Sequence, residues 1–359
     1  MDNIKNKVIS IGFITIIITI FVINILNKDS QISVSERRKL TQFPEITTKK
    51  IVSGDVSKQF ENYAVDQFIA RDFFRSIKAA YSLNLLNQKD NNNLYEVDGA
   101  IYKMEYPVNP ANIEKSANKM NYIYNKYLQN MNVYYSIIPD KSYYLENDSH
   151  LKLDFNEIEN IMNDKLTNMN YIDISDKLVI SDFYKTDLHW KQENLQSVVN
   201  TLKSEMNLDV VDFDYEKREV GDFFGAYYGQ LGINVNPDKL YVLTNSTIES
   251  CITYNYETNK VDKVYTEKIS SDKYDTYVSG ATPLITIENP NAKTGKELLL
   301  FRDSFGSSLA PLLIEDYKKI TLIDIRYMSS NLLENYIDFN NQDVLFLYSD
   351  LVLNQGIFK

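Results

Sequence analysis

The first long apolar block of the chain predicts a membrane helix. Residues 8–26 contain no charged side chain and are rich in isoleucine. As a helix this run would span roughly 28 Å, close to the ~30 Å hydrocarbon core of a bilayer. It is longer than the apolar region of a cleaved signal peptide, and polar residues 27–29 follow it instead of a cleavage site. We therefore expect residues 1–30 to form a cytoplasmic tail and an uncleaved transmembrane anchor.

The charges that flank this run bear on its orientation. Lys5 and Lys7 precede it, and basic residues favour the cytoplasmic side of a membrane helix. Lys28, Arg38 and other basic residues beyond the run weaken that bias. We expect the chain to continue outside the cell, first as a polar juxtamembrane linker over residues 31–50.

Apolar residues at steps of three and four predict helices further along the chain. This spacing runs through residues 55–86, where Arg71-Asp72 interrupts it and indicates a break between two helices. It returns over residues 113–128. A clear amphipathic stripe also covers residues 195–206.

Short apolar runs predict strands that are buried on both faces. These runs cover residues 133–138, 171–174, 298–301, 320–325 and 344–348. Helical patterns separate several of them, and this rhythm is typical of an α/β fold with a doubly wound parallel sheet. Asp98-Gly99 additionally predicts a tight hairpin within residues 94–104. We expect one α/β domain over residues 51–359, with a mostly β insertion at 212–280.

One histidine and one serine stand out as candidate catalytic residues. His189, one of two histidines in the 359 residues, follows Asp187 by two positions. A carboxylate placed there can hold the imidazole tautomer and leave Nε2 free as a base. Ser304 follows an apolar strand and precedes Gly306, where a helix N-terminus would offer backbone N–H donors to an oxyanion. The pattern predicts a Ser-His-Asp site.

Each of these residues also has a structural interpretation. Ser304 could simply cap a helix, which serines often do. His189 could be a surface histidine at a helix start, while His150, the other histidine, lies among polar residues and is predicted to be exposed. Asp303 is predicted to form structural hydrogen bonds. Four residues are candidates for substrate binding, with core packing or a buried salt bridge as the alternative: Trp190, Arg302, Arg326 and Tyr348.

These motifs resemble the DHHW family of SGNH-hydrolase-like proteins, whose relatives include the alginate O-acetyltransferases. Asp187-x-His189-Trp190 and the later Asp303-Ser304-Phe305-Gly306 carry most of the resemblance, with Leu188 as a departure at the second position of the name motif. The resemblance extends over the chain from about Val34 onward. Looser matches are Ser35-Glu36-Arg37-Arg38-Lys39-Leu40 with Phe43-Pro44, Asp66-Gln67-Phe68 with Arg71-Asp72, and Asp324-Ile325-Arg326-Tyr327.

The resemblance implies a membrane-anchored O-acetyltransferase that acts outside the cell on a cell-surface or secreted polysaccharide. Ser304 would carry the acetyl group, His189 would be the base and Asp187 would orient it. A membrane-bound O-acyltransferase would deliver the acetyl donor. No metal or tightly held cofactor is implied. By the same resemblance, Arg326 and Tyr348 fall near positions where related transferases keep an Arg and a Tyr.

Two other functions stay open on the residues alone. The same three side chains with water as acceptor would make a polysaccharide acetyl-esterase. A non-catalytic polysaccharide-binding or scaffold subunit is the third interpretation, although the complete residue set argues against it.

Charge and cysteine content exclude some binding partners and cross-links. The formal net charge is −11, which argues against nucleic acid because nucleic acid requires a basic surface. Cys251 is the single cysteine, so no intrachain disulfide is expected.

Overall fold

The computed structural model describes residues 2–36, 38–146, 149–211, 214–267 and 272–359. The chain divides into two compact units, an N-terminal unit of Met1–Asn92 with Tyr228–Asn234 and an α/β unit of Asn93–Tyr227 with Val235–Lys359. Residues 51–92 therefore group with the N-terminal unit, whereas the sequence-based boundary assigned them to the α/β domain. Arg37 of the lead-in motif and Asn147-Asp148 beside His150 lie outside the described residues, as do parts of the predicted insertion at 212–213 and 268–271.

The N-terminal unit is mostly helical. Its elements are α1 Asp2–Leu26, β1 Ile32–Ser33, β2 Arg38–Lys39, α2 Thr48–Val52, α3 Asp55–Asp66 and α4 Arg71–Ala80, and a π-helical turn Tyr81–Leu85 extends α4. The predicted break near Arg71 is confirmed, since α3 and α4 are separate helices. Within α1, Ile4–Leu26 is long and apolar enough to cross a membrane.

Residues 31–50 are more ordered than a linker because buried charges hold them to α3 and α4. Asp66 accepts hydrogen bonds from Arg38 Nη1 and Nη2 at 2.9 and 2.6 Å. Asp66 also accepts from the backbone N and the Oγ1 of Thr41 at 2.8 and 2.9 Å. Glu36 pairs with Arg71, and with Arg75 at 3.3 Å. The β1–β2 segment is thus anchored by ion pairs between residues about thirty positions apart.

Asp66→Asn should loosen the N-terminal unit. The amide cannot accept all four hydrogen bonds that the carboxylate accepts, and it removes the ionic attraction to Arg38. We expect a loss of about 1–3 kcal/mol in the local opening free energy, because Arg38 is partly exposed. Amide hydrogen exchange of peptides spanning residues 38–80 measures this, and Asp55→Asn at an exposed position is the control.

The pH dependence of the Asp66 contribution has a defined sign. The Arg38 guanidinium holds the pKa of Asp66 well below its usual range. A depressed folded-state pKa stabilises the folded unit above the ordinary carboxyl pKa of about 3.9, and that stabilisation is lost as the pH falls. The difference between wild type and Asp66→Asn should therefore shrink in acid. A difference that grew in acid would contradict the assignment.

The α/β unit contains a large mixed sheet. Its strands are β3 Leu94–Val97, β4 Ala100–Lys103, β5 Val133–Ile138, β6 Asn170–Tyr171, β7 Glu216–Phe223, β8 Asp238–Thr244, β9 Ile252–Asn255, β10 Lys260–Lys263, β11 Leu284–Glu288, β12 Glu297–Arg302, β13 Lys319–Ile323 and β14 Asp343–Ser349. Its helices are α5 Pro110–Ile123, α6 Phe155–Lys165, α7 Gln196–Glu205, α8 Ala226–Leu231 (from Tyr228 on assigned to the N-terminal unit), α9 Ser246–Ser250, α10 Phe305–Leu313 and α11 Asp350–Gln355.

The central sheet has the order β10-β9-β11-β13-β12-β14-β5-β6. The pairs β13–β12, β12–β14, β14–β5 and β5–β6 are parallel. The predicted apolar strands form this parallel part, so the α/β prediction is confirmed. The pairs β10–β9, β9–β11 and β11–β13 are antiparallel. The sheet is therefore mixed, with an antiparallel edge that the sequence did not indicate.

Side chains alternate between two apolar layers along the parallel strands. On β12, Leu298 and Leu300 face the layer that holds α7 and α10. Leu299 and Phe301 face the other layer, with α5, α6 and α11. Because both faces are covered, these strands are apolar almost throughout, which is why the runs could be recognised.

The predicted β insertion is divided between two sheets. β7 and β8 form a separate antiparallel pair, whereas β9 and β10 extend the central sheet. Short helices α8 and α9 interrupt the strands. The hairpin at Asp98-Gly99 is confirmed, since β3 pairs with β4 and both turn residues have positive φ angles of 51° and 77°.

Candidate active site

Ser304 lies where β12 ends and α10 begins. Its Oγ does not cap the helix; instead it lies 2.7 Å from Nε2 of His189. Asp303 Oδ1 accepts the N–H of Phe305 at 3.0 Å, while its Oδ2 accepts from Ser349 N and Oγ at 2.8 and 2.7 Å. Asp303 is therefore a structural hydrogen-bonding residue, as predicted. The interpretation of Ser304 as a simple helix cap is wrong.

The turn after Ser304 requires glycine. A Cβ on Gly306 would lie 2.6 Å from Cβ of Arg302, which is closer than real contacts allow. The amides of Gly306 and Ser307 donate to the carbonyls of Asp303 and Ser304. The backbone donors expected to meet an acyl oxyanion at this turn are thus already engaged within the turn, including that of Phe305.

Asp187 orients the imidazole of His189. Its Oδ1 lies 2.5 Å from Nδ1 and accepts the His189 backbone N–H at 3.0 Å. Its other oxygen, Oδ2, accepts from Ala226 N at 2.6 Å. Gly225 permits this approach, since a Cβ there would lie 2.3 Å from Cβ of Asp187. With Nδ1 donating to Asp187, Nε2 is free to accept the Ser304 hydroxyl proton.

Two buried charges hold the loop that carries Asp187 and His189. Lys141 Nζ donates to the carbonyls of Tyr184, Lys185 and Asp187 at 2.9, 3.2 and 2.7 Å. Asp238 accepts from the backbone N of Lys185 and from the N and Oγ1 of Thr186 at 2.9, 2.8 and 2.6 Å. Lys141 thus binds the carbonyls of this short segment, and Asp238 binds its amides.

Burial lowers the pKa of Lys141 to about 8, against the attraction of Asp140, Asp187 and Asp238. The three carbonyl acceptors around Nζ match the three protons of a charged ammonium group.

An aromatic contact covers the imidazole. Tyr274 stacks on His189 with ring centroids 3.9 Å apart, and its hydroxyl lies 2.9 Å from Ser308 Oγ. Trp190 Nε1 donates to the same Ser308 Oγ at 2.9 Å. Ser308 therefore connects the histidine loop, Tyr274 and α10. Asp187 is wholly buried and the His189 side chain is 9% exposed, while Ser304 is half-buried.

The candidate substrate-binding residues lie deeper than expected. Trp190 and Arg302 are fully buried, and Tyr348 is 1% exposed. Their predicted contact with substrate is not compatible with these positions, because packing of both sheet faces closes over them. Arg302 Nη2 donates to Gly280 O and Thr282 Oγ1 at 3.2 and 3.4 Å.

Arg326 differs from those three because its side chain is 13% exposed. It donates to Asp324 through Nε at 2.9 Å and Nη2 at 2.6 Å. Its role in substrate binding stays a prediction. His150 is half-buried, not exposed as predicted, because it stacks on Tyr95 with ring centroids 3.7 Å apart.

Three supporting residues were not foreseen from the sequence. Lys141 lies three residues after the predicted strand 133–138, and its place just beyond a carboxyl strand end was the available signal. Asp238 and Tyr274 lie in the insertion, where no pattern distinguished them. Over the described residues, no group of three or more His, Cys, Asp and Glu side chains is arranged to hold a metal ion.

The fold and this geometry define an α/β protein in which a serine, a histidine and an aspartate have the arrangement found in serine hydrolases and acyltransferases. Residues 176–323 match the family model of the DHHW proteins. The match covers Asp187, His189 and Ser304, so this segment is similar to DHHW proteins. The resemblance drawn from the motifs is confirmed.

Solved structures share the fold. A DHHW family protein from Eubacterium siraeum matches with a TM-score of 0.63 and 21% identity, over 75% of this chain and 95% of that one. PatB1 from Bacillus cereus matches with a TM-score of 0.60 and 24% identity, over 75% of this chain and 100% of that one. A second PatB1 structure, with a sulfonyl adduct, matches with a TM-score of 0.61 and 22% identity, over 75% of this chain and 100% of that one. No curated protein matches the chain.

Lys141→Met should disorder the histidine loop without removing any of the three central side chains. Three buried carbonyls would lose their donor, at a cost of about 2–4 kcal/mol of global stability. Thermal unfolding measures the loss, and hydrogen exchange of the peptide spanning residues 183–191 localises it. Lys126→Met, at a surface lysine, is the matched control. Unchanged exchange in Lys141→Met would show that the loop does not depend on this cation.

Proposed function

We propose that this protein is a membrane-anchored O-acetyltransferase that acylates a polysaccharide outside the cell. The observation that carries the proposal is the contact of 2.7 Å between Ser304 Oγ and His189 Nε2, with His189 Nδ1 2.5 Å from Asp187 Oδ1. A base must come within about 3 Å of the proton that it removes, and this geometry meets that requirement.

The reaction proceeds in two acyl transfers. His189 takes the proton of Ser304 as Oγ bonds to the acetyl carbonyl carbon, and the donor group leaves with that proton. A sugar hydroxyl then gives its proton to His189 and attacks the acetyl-serine carbonyl. The ester bond to Ser304 breaks, and Oγ recovers its proton. Asp187 stabilises the imidazolium in both halves.

The resemblance supports a transferase over an esterase. Tyr274 covers one face of His189, and only a small part of that side chain is open to solvent. The resemblance to O-acetyltransferases of exopolysaccharides supports acetyl as the group and a polysaccharide as the acceptor.

The N-terminal helix supports the location. Ile4–Leu26 can cross a bilayer, and Lys5 and Lys7 favour a cytoplasmic N-terminus. The α/β unit would then lie outside the cell, where activated acetyl donors are not made. A membrane-bound O-acyltransferase is the proposed source of acetyl groups.

Ser304→Ala should abolish the hydrolysis of a small activated acetyl ester by the detergent-solubilised full-length protein, since it removes the nucleophile. His189→Ala should lower the rate by about 10³–10⁴-fold if the residues act together. Asp187→Asn should keep the fold yet impair the rate by releasing the imidazole tautomer. A chromogenic ester assay measures all three.

One residue near Ser304 and the second histidine provide matched controls. Ser307→Ala removes a hydroxyl with no hydrogen-bond partner among the described residues, and His150→Ala removes the other histidine. Both should retain wild-type hydrolysis. Undiminished hydrolysis in Ser304→Ala would rule out both enzymatic interpretations and leave a binding subunit.

An oligosaccharide acceptor should separate the transferase from the esterase. In its presence, acetyl groups should pass from the donor ester to sugar, because the covalent intermediate can react with either acceptor. Mass spectrometry would detect the acetylated sugar, with Ser304→Ala as the blank. Loss of acetyl groups from a pre-acetylated glycan, without any transfer, would favour the esterase.

A further inference from the structure

The N-terminal unit has an apolar surface next to the end of its membrane helix. Phe73, Ile77, Tyr81 and Leu85 recur along one side of α4 and the turn that extends it, and they are 61%, 48%, 52% and 67% exposed. Phe74, 49% exposed, is 5.7 Å from both Phe73 and Phe68 by ring centroids. We call these six residues the aromatic patch. Exposed apolar surface that is this continuous marks an interaction site.

Hydrogen bonds fix the patch to the membrane helix. Asn24, in the last turn of α1, accepts the backbone N–H of Ile69 through Oδ1 at 2.8 Å. Ile69 directly follows Phe68. At 1.5 Å per residue, Asn24 lies only about 3 Å along the axis from Leu26, where the apolar span ends. The loop that starts the patch is thus level with the end of the span.

Further contacts make this attachment rigid. Gln67 Oε1 accepts from Ser30 N at 2.9 Å, and its Nε2 donates to Ser30 O at 3.0 Å. Tyr63 donates its hydroxyl to Asp29 at 3.1 Å. The chain therefore leaves α1 and is tied at once to the segment between α3 and α4.

Cationic side chains border the patch. Phe68 and Phe74 line a groove of about 1030 Å³, and its rim includes Arg71, Arg75 and Lys78. Arg71 and Arg75 are paired with Glu36, whereas Lys78 contacts the neutral Asn92 at 3.3 Å. Apolar rings beside basic side chains suit the boundary between acyl chains and phosphate headgroups.

We infer that the aromatic patch enters the lipid headgroup and upper acyl region of the bilayer that α1 spans. The inference rests on the proposed membrane anchoring of α1. The occupant is lipid because the span and the patch belong to one unit and meet through Asn24 and Ile69. The contact holds the N-terminal unit flat against the membrane surface, and α1 alone would leave it free to tilt.

Spin-label accessibility tests this contact in full-length protein reconstituted in phosphatidylcholine–phosphatidylglycerol vesicles. Single cysteines at Phe73→Cys and Ile77→Cys, in a Cys251→Ser background, carry the label. Oxygen concentrates in lipid, whereas a nickel chelate stays in water, so the accessibility of the label to each reagent distinguishes the two environments. The ratio of oxygen to nickel accessibility should be severalfold higher at both positions than at Val261→Cys, an apolar position in the α/β unit that is as exposed as Phe73.

The outcomes separate this inference from the proposed anchoring. Release of the unlabelled protein by an alkaline wash would contradict the anchor itself. Retention with water-like ratios at positions 73 and 77 would overturn the patch contact and leave the anchor standing. Protection of both labels from oxygen and nickel alike would also overturn it, because that result indicates protein contact. Phe73→Asp with Ile77→Cys should lower the ratio at position 77 if lipid holds the patch.

Discussion

The short loop from Phe183 to Trp190 is held by two buried charges of opposite sign, and the geometry of the candidate site depends on that clamp. Lys141 binds carbonyls and Asp238 binds amides, so the backbone polar groups of the loop are matched inside the protein. A buried charge is costly unless it is fully hydrogen-bonded, and each of these two has three partners. The loop can therefore hold Asp187 and His189 in one conformation before any substrate binds, which is the requirement for a preorganised base.

The central sheet places Ser304 next to this loop. In parallel sheets, the carboxyl ends of neighbouring strands meet at one edge, where ligands usually bind. β12 leads to Ser304, and β5, two strands away, leads to Lys141. One strand thus leads to the proposed nucleophile, and the other leads to the cation that holds the loop of the proposed base. Trp190 and Ser308 then join the loop to α10, so the Ser304–His189 distance is set by packed elements on both sides.

Much of this architecture was predictable because it follows from local sequence patterns. Five apolar runs predicted the parallel strands, the end of one run predicted Ser304, and the Asp-x-His spacing predicted Asp187 and His189. Features that depend on distant packing were not predictable. The ion pair between Arg38 and Asp66 joins residues 28 positions apart, so the local sequence of residues 31–50 indicated only a polar linker. Arg302 and Tyr348 lie near strand ends in the sequence and Trp190 lies beside His189, but only the packed layers show that all three are buried. β9 is partly exposed, the edge strand β10 is exposed throughout, and both are short, which made them resemble a separate insertion.

The most direct test of the account is the location of the covalent acetyl group. Full-length protein mixed with an activated acetyl ester, without acceptor, should be quenched in acid within one turnover and digested for peptide mass spectrometry. The proposed mechanism predicts one acetyl group, on Ser304, that disappears when an oligosaccharide acceptor is added before the quench. Hydrolysis that proceeds with no acetyl group on Ser304, or with the acetyl group on another residue, would contradict it.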